Sequence, residues 1–109
     1  MKEYDRPEVL EGSTWKTDTG CGSLYVIANL DDDGKLIEVF LRMGKAGGCA
    51  NATTESLGRL VSRLLQGGDS PEKIVKQLKG IECHQSTSTQ KDSCATAVAK
   101  VLEKYTEAK

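Results

Sequence analysis

Short apolar runs separated by turn residues fill the N-terminal part of the chain. Residues 23–30 are apolar or aromatic except at Ser23 and Asn29, which is typical of a buried strand. In Leu36–Met43 alternate side chains are apolar, so this segment predicts a strand with one buried face. The Asp-rich turn between the two ends at Gly34, which suits the left-handed position of a hairpin loop. Together with a Thr- and Trp-containing segment at residues 12–19, the pattern predicts a three-stranded antiparallel meander.

The spacing of apolar residues changes to a helical period after Gly44. A first helix is predicted over residues 51–66, and its apolar positions are Leu57, Leu60, Val61, Leu64 and Leu65. Gly67-Gly68 follows as a C-terminal stop. A second helix is predicted to begin at Ser70-Pro71-Glu72, where Ser is the N-cap, Pro lies in the first turn and the acid faces the positive end of the helix dipole. It is predicted to end at Gly80.

Polar residues dominate residues 84–91, which predicts a loop. Asp92 or Ser93 then caps a predicted last helix, whose apolar side is formed by Ala97, Val98, Val101, Leu102 and Tyr105. The fold class predicted from these elements is α+β, a three-stranded antiparallel meander followed by three helices packed on one face. Residues 1–11 are predicted to be a charged lead-in, and residues 12–109 a single domain.

Composition and charge narrow the function classes. The chain has 109 residues, 38% of them hydrophobic and 28% charged, with a net charge of −1. This is the balance of one small soluble domain, and it lacks the basic character expected of a protein that binds duplex nucleic acid. No apolar stretch resembles a signal peptide or a membrane span, so we expect a cytoplasmic protein in which disulfides are rare.

Four cysteines are the first candidate for a functional site. Cys21 lies between two glycines before a strand, Cys49 precedes the first predicted helix, Cys83 follows the second and Cys94 lies in the first turn of the last. Helix N-termini favour the thiolate form, and four thiolates suit a tetrahedral zinc site or, as a second choice, an iron–sulfur cluster. No two cysteines have the short separation of a zinc knuckle, so four small buried residues without a common partner are the alternative. His84 could replace a ligand, although a solvated loop histidine is the simpler interpretation.

A glycine-rich segment is the second candidate. Gly44, Lys45, Gly47 and Gly48 lie between the last strand and the first helix. Backbone N–H groups in such a turn can bind an anion, with Lys45 adding a positive charge. The segment is not a Walker A loop, and the alternative is that its glycines only permit a tight turn.

Enzyme templates match poorly. The chain has a single histidine without an obvious orienting carboxylate, its acids are scattered, and no Cys-x-x-Cys pair is present. These observations predict a non-catalytic protein.

Several segments in order along the chain resemble the TSCPD domain, which is found at the C-terminal end of adenosylcobalamin-dependent (class II) ribonucleotide reductases and in small free-standing proteins. The segments are Arg6-Pro7, Leu10-Glu11-Gly12-Ser13-Thr14, Thr19-Gly20-Cys21-Gly22, Leu24-Tyr25-Val26, Glu38-Val39-Phe40, Gly44-Lys45-Ala46-Gly47-Gly48-Cys49, Leu78-Lys79-Gly80-Ile81 and Ser93-Cys94. The resemblance runs from about residue 6 to 103. One departure is Asp92-Ser93-Cys94-Ala95-Thr96, which stands where the family has Thr-Ser-Cys-Pro-Asp.

The resemblance implies a role beside reductase chemistry. All four cysteines fall where the family places cysteines, which implies a shared structural metal site, with zinc the expected ion. The chain has neither the catalytic barrel nor the downstream thiol pair of the large reductases, so the implied function is an accessory or regulatory module with a reductase as partner.

Two alternative functions are also compatible with the sequence. One is a free-standing protein that binds or sequesters a nucleotide through Gly44–Gly48 and Lys45. The other is a purely structural interaction domain. Either binding role is compatible with a homo-oligomer, because a three-stranded sheet leaves edges and a face to cover.

Overall fold

The computed structural model describes residues 4–44 and 48–106, without the side chains of residues 48–50, 84 and 85. Three strands come first: β1 (Glu11–Thr19), β2 (Gly22–Leu30) and β3 (Leu36–Met43). Four helices follow: α1 (Gly48–Gln66), α2 (Pro71–Leu78), α3 (His84–Thr89) and α4 (Cys94–Glu103). The strands form one antiparallel sheet in the order β1-β2-β3. The predicted α+β meander is therefore confirmed, with one more helix than the pattern indicated.

The turn between β2 and β3 is held by an aspartate. The Asp31 carboxylate accepts hydrogen bonds from the backbone N–H groups of Asp33 and Lys35, both at 2.9 Å. Gly34 has a φ of 82°, the left-handed conformation that its position in the loop predicts. The side chain of Asp31 thus fixes the turn at which the two central strands meet.

The core lies on one face of the sheet. Its strand side chains include Leu24, Val26, Ala28, Val39, Leu41 and Met43, and its helix side chains include Val61, Leu65, Ile74, Val75, Ala97, Val98, Val101 and Leu102. Alternate residues of each strand point to this face, as the period of two requires. Trp15 closes the β1 end of the core, where its indole N–H donates a 2.7 Å hydrogen bond to the Tyr105 hydroxyl.

Helix α1 covers the outer edge of β3. The Ser62 hydroxyl both accepts from the backbone N–H of Val39, at 2.9 Å, and donates to its carbonyl, at 3.0 Å. Farther along, the Asn51 side chain accepts from the N–H of Met43 at 3.1 Å. Gly58 lies between these contacts, close enough for helix and strand backbones to approach. Two helix side chains thereby satisfy backbone groups that an edge strand leaves open.

Residues 84–91, predicted as a loop, contain helix α3 at 84–89, so this part of the prediction is wrong. Cys83 and Ser86 form a reciprocal cap: the thiol accepts from the Ser86 N–H at 3.4 Å, and the Ser86 hydroxyl accepts from the Cys83 N–H at 2.9 Å. Gln90, at a φ of 59°, ends the helix. Because the helix is short and polar, local capping and not an apolar stripe specifies it, which is why the periodicity does not reveal it.

The caps of α2 and α4 agree with the sequence, whereas α1 begins at Gly48, three residues before its predicted start. Ser70 caps α2 with Pro71 in its first turn, and Ser93 caps α4. Gly68 and Gly80 follow α1 and α2 with positive φ values. Among the helices that the structure describes, none is long and apolar enough to cross a membrane.

Candidate functional site

The turn between β1 and β2 is built around a buried threonine. Only 1% of Thr19 is exposed. Its hydroxyl donates to the Gly22 carbonyl at 2.8 Å and accepts from the Cys21 N–H at 3.1 Å. Gly22, at a φ of 121°, allows the chain to reverse immediately after the cysteine. The turn therefore fixes the position of Cys21 at the end of the sheet.

The segment before α4 docks on this turn through its backbone. Thr19 and Asp92 form an isolated parallel bridge, and the Gly20 N–H donates to the Asp92 carbonyl at 3.0 Å. Two residues later the chain reaches Cys94, the first residue of α4. The bridge consequently brings Cys94 beside Cys21, although the two are far apart in the sequence.

Cys94 lies in a partly buried environment among sulfur atoms. Its Sγ is 3.8 Å from Sδ of Met43, at the end of β3. Burial raises the pKa of the Cys94 thiol, a hydrogen bond with the Thr19 hydroxyl acts in the opposite direction, and the nearby Cys21 and Cys83 raise the pKa further. The net effect raises the pKa of Cys94 and so favours its neutral thiol form.

Cys83 lies at the rim of the same region. It is exposed and precedes α3 as the N-cap residue. It is close enough to Cys94 to raise the pKa of that thiol electrostatically. Three of the four predicted cysteines, Cys21, Cys83 and Cys94, are therefore brought to one end of the sheet.

The fourth cysteine is placed by its backbone alone. Cys49 is the second residue of α1, and its side chain lies outside the described residues. The bond between Asn51 and the Met43 N–H fixes this first turn of α1 to the end of β3. Because Met43 also contacts Cys94, the start of α1 and the start of α4 meet at the same end of the sheet.

The glycine-rich segment is only partly described. Gly44 follows β3 and its N–H donates to the Ser23 carbonyl at 2.9 Å, and Gly48 is the first residue of α1. Lys45 and Gly47 lie outside the described residues. The anion-binding loop therefore stays a prediction.

Two contributors to the site were not predicted from the sequence. Thr19 carries the turn and Met43 packs a sulfur against Cys94. A threonine two residues before a cysteine in a glycine-containing turn is the signal that could have identified Thr19. In the sequence, Met43 is simply the last apolar residue of a predicted strand, so nothing indicates its contact with Cys94.

The described side chains do not by themselves form a metal site. The structure describes the side chains of residues 4–44 and 51–106, except those of residues 84 and 85. Among them, no three side chains of His, Cys, Asp or Glu lie close enough together to hold an ion. The region nonetheless offers thiols from three separate elements, and thiols are the donors that zinc prefers in structural sites.

Comparison with known proteins gives one match. No curated protein and no solved structure matches the chain. The family model described as TSCPD domain matches residues 2–106, which is nearly the whole chain. The chain thus belongs to the TSCPD domain family.

Proposed function

We propose that this chain is a non-catalytic accessory or regulatory module related to ribonucleotide reductase, in which Cys21, Cys49, Cys83 and Cys94 hold a structural zinc ion. The family links the chain with ribonucleotide-reductase-related proteins. The observation that carries the metal site is the Thr19–Asp92 bridge, which brings Cys94 to the turn that contains Cys21.

The surroundings of the thiols support a structural ion. A bound cation would stabilise the thiolate form of cysteines brought together at one end of the sheet. Cys49 completes the proposed ligand set from the first turn of α1. When bound, zinc would cross-link the β1–β2 turn, α1, α3 and α4, and so add to the stability of a small core.

Metal analysis tests the site. Protein purified without a tag and without oxygen is expected to contain about one zinc per chain, with thiols that react only after chelation. Cys21→Ser and Cys94→Ser should each lower the zinc content and the melting temperature. His84→Ala is the control, because a site made of four cysteines keeps its zinc without the neighbouring histidine.

Two results would overturn the proposed site. Four thiols that react freely in metal-free, fully stable protein would show that no metal contributes to the fold. If the purified protein contained iron and absorbed visible light, the site would be an iron–sulfur cluster and not a structural zinc ion.

The accessory role has a separate test. Adding the protein to a purified class II reductase from the same source should change reductase turnover, while the protein alone should produce no deoxyribonucleotide. Unchanged turnover, together with no binding in calorimetric titration, would remove the reductase from the proposal and leave the metal site unaffected.

A further inference from the structure

The sheet face opposite the core carries two rows of side chains. The first row across the strands is Lys16, Tyr25 and Arg42, and the second is Thr14, Ile27 and Phe40. We call these six residues the back face. Lys16 and Arg42 are exposed, and 53% of Phe40 is accessible to solvent. Phe40 thus presents an aromatic ring to solvent at the centre of this face.

The back face has uncompensated positive charge. Three acidic residues at its border are each paired with a base: Asp18 with Lys91 at 3.1 Å, Glu38 with Arg6 at 3.0 Å and Glu55 with Arg59 at 2.7 Å. Lys16 and Arg42, in contrast, form no ion pair with any residue that the structure describes. The face therefore presents two available cations, one on each side of Tyr25, and favours an anionic occupant although the net charge of the chain is −1.

Two aromatic rings lie between and beside these cations. Tyr25 is directly opposite Arg42, and Phe40 is two residues before Arg42 on β3. Tyr25 and Phe40 are therefore diagonal neighbours on adjacent strands. The usual geometry of an antiparallel sheet puts the backbone positions of such a pair about 7–8 Å apart. The Tyr25 ring lies beside Gly44, at the end of β3. Two rings on a sheet with flanking cations are suited to stacking successive bases while the phosphates contact the cations.

The face continues into a groove beside α1. The groove has a volume of about 570 Å³, and Phe40 and Arg42 line one wall while Gly58, Arg59 and Ser62 line the other. Gly58 packs closely against Val39 and Leu41 of β3, so α1 and the strand meet without an intervening side chain at this point of the groove. A flexible strand can follow this path from the open sheet into the groove.

Other occupants fit less well. A second copy related by a two-fold axis would bring two unpaired Lys16–Arg42 pairs into one interface, which is electrostatically unfavourable. Duplex nucleic acid keeps its base faces stacked inside the helix and cannot use the rings.

From this arrangement we infer that the back face binds single-stranded nucleic acid, with bases stacked on Tyr25 and Phe40 and phosphates bound by Lys16 and Arg42. The inference does not depend on the metal site, because these residues lie on the opposite face of the sheet from the Cys94–Met43 contact.

Fluorescence anisotropy with a labelled oligodeoxythymidylate of about 12 nucleotides tests the inference, since such a probe stacks without forming secondary structure. Phe40→Leu and Tyr25→Leu are each expected to weaken binding about tenfold or more, because they keep an apolar side chain and remove the ring. Lys16→Gln and Arg42→Gln should each reduce the slope of log affinity against log salt by about 0.7. Lys76→Gln on α2 removes an exposed cation away from the back face and should leave both quantities unchanged.

Four outcomes would overturn the inference. They are no binding of the oligonucleotide at low salt, binding unchanged in the two ring variants, equal affinity for the matching duplex, and competition by thymidine 5′-monophosphate at the same concentration as the oligonucleotide. A dimer in sedimentation that Phe40→Leu dissociates would assign the face to a second copy. Phe40 and Tyr25 are outside the core cluster, so circular dichroism and thermal melting of these variants should match the unaltered protein.

Discussion

Arg6 and Glu38 form a two-pronged ion pair across the sheet edge, with Nε of Arg6 3.0 Å from Oε1 of Glu38 and Nη2 3.0 Å from Oε2. Asn29 adds a hydrogen bond of 2.7 Å to Oε2 from the neighbouring strand. Only 4% of the Glu38 side chain is exposed, against 41% for Arg6. A carboxylate on the second face of β3 is thereby buried in ionised form, with the segment before β1 held against it.

This pair predicts a pH dependence of stability. Burial by itself would raise the pKa of Glu38, but the hydrogen bonds from Arg6 and Asn29 and the charge of Arg6 lower it below the ordinary 4.5. A folded-state pKa below the unfolded value stabilises the protein above pH 4.5, and this contribution is lost as the pH falls through the folded-state pKa. In Arg6→Gln the burial remains without the charge, so the acid-unfolding midpoint should move to higher pH.

Acid titration followed by circular dichroism measures this shift. Arg63→Gln is the matched control, because Arg63 is an exposed arginine on α1. Superimposable acid-unfolding curves for Arg6→Gln and the unaltered protein would contradict the assignment of acid stability to this pair.

Gly12→Ala should destabilise the same region by a different route. A Cβ atom at Gly12 would overlap Oδ1 of Asn29 and the Ala28 carbonyl oxygen. Moving Asn29 away breaks its hydrogen bond to Glu38, and the carbonyl belongs to the central strand and cannot move freely. We expect a loss of about 1–3 kcal/mol in the free energy of unfolding, measured in urea. Gly44→Ala is the control, because a Cβ there has no contact shorter than 3.4 Å, and an equal loss in both variants would refute the steric explanation.

Ser62→Ala tests how α1 protects the sheet edge. The substitution leaves the N–H and the carbonyl of Val39 without the hydroxyl that binds both. An unfolding free energy lower by about 1–3 kcal/mol is expected, since a partly buried donor and acceptor lose their partner. Ser56→Ala removes the same hydroxyl from an exposed position of α1, where it donates only to the Ala52 carbonyl, and should change stability little. Equal midpoints for the two variants would mean that water replaces Ser62 at no cost.

The strands and the three longer helices could be predicted because burial imposes a period on their side chains. In β3, buried and exposed side chains alternate from Val39 to Met43, whereas the residues before Val39 are all buried. In α4, Ala97, Val98, Val101 and Leu102 are buried in the core. The burial of Glu38 on the second face of β3 was not predictable, because it depends on Arg6, which lies far away in the sequence. The start of α1 at Gly48 precedes the predicted position because the helical spacing of large apolar residues begins only at Leu57. Periodicity thus reports contacts with the core and little else.

The spatial arrangement of the cysteines could not be predicted from the periodicity of apolar residues. Cys21 and Cys94 lie close together because the backbone of Asp92 pairs with that of Thr19 and Gly20. Such backbone hydrogen bonds do not affect the spacing of apolar side chains, so the sequence pattern does not reveal them. The family resemblance, by contrast, implied a common site from the positions of the cysteines alone. The structure supplies the physical link between the two ends of the chain.

Thr19→Val provides the test of that link. Valine keeps the branched shape but removes the hydroxyl that contacts Gly22, Cys21 and Cys94. The turn should lose about 1–3 kcal/mol of stability in urea unfolding, because the Gly22 carbonyl and the Cys21 N–H lose their partner. Thr17→Val, two residues earlier on the same face of β1, is the matched control and should have little effect.

If the proposed zinc site exists, Thr19→Val should also weaken zinc retention against a chelator. Thr19 supplies no ligand itself, but supporting residues orient metal ligands. Unchanged stability in Thr19→Val would show that the backbone bridge to Asp92 holds the turn without the hydroxyl.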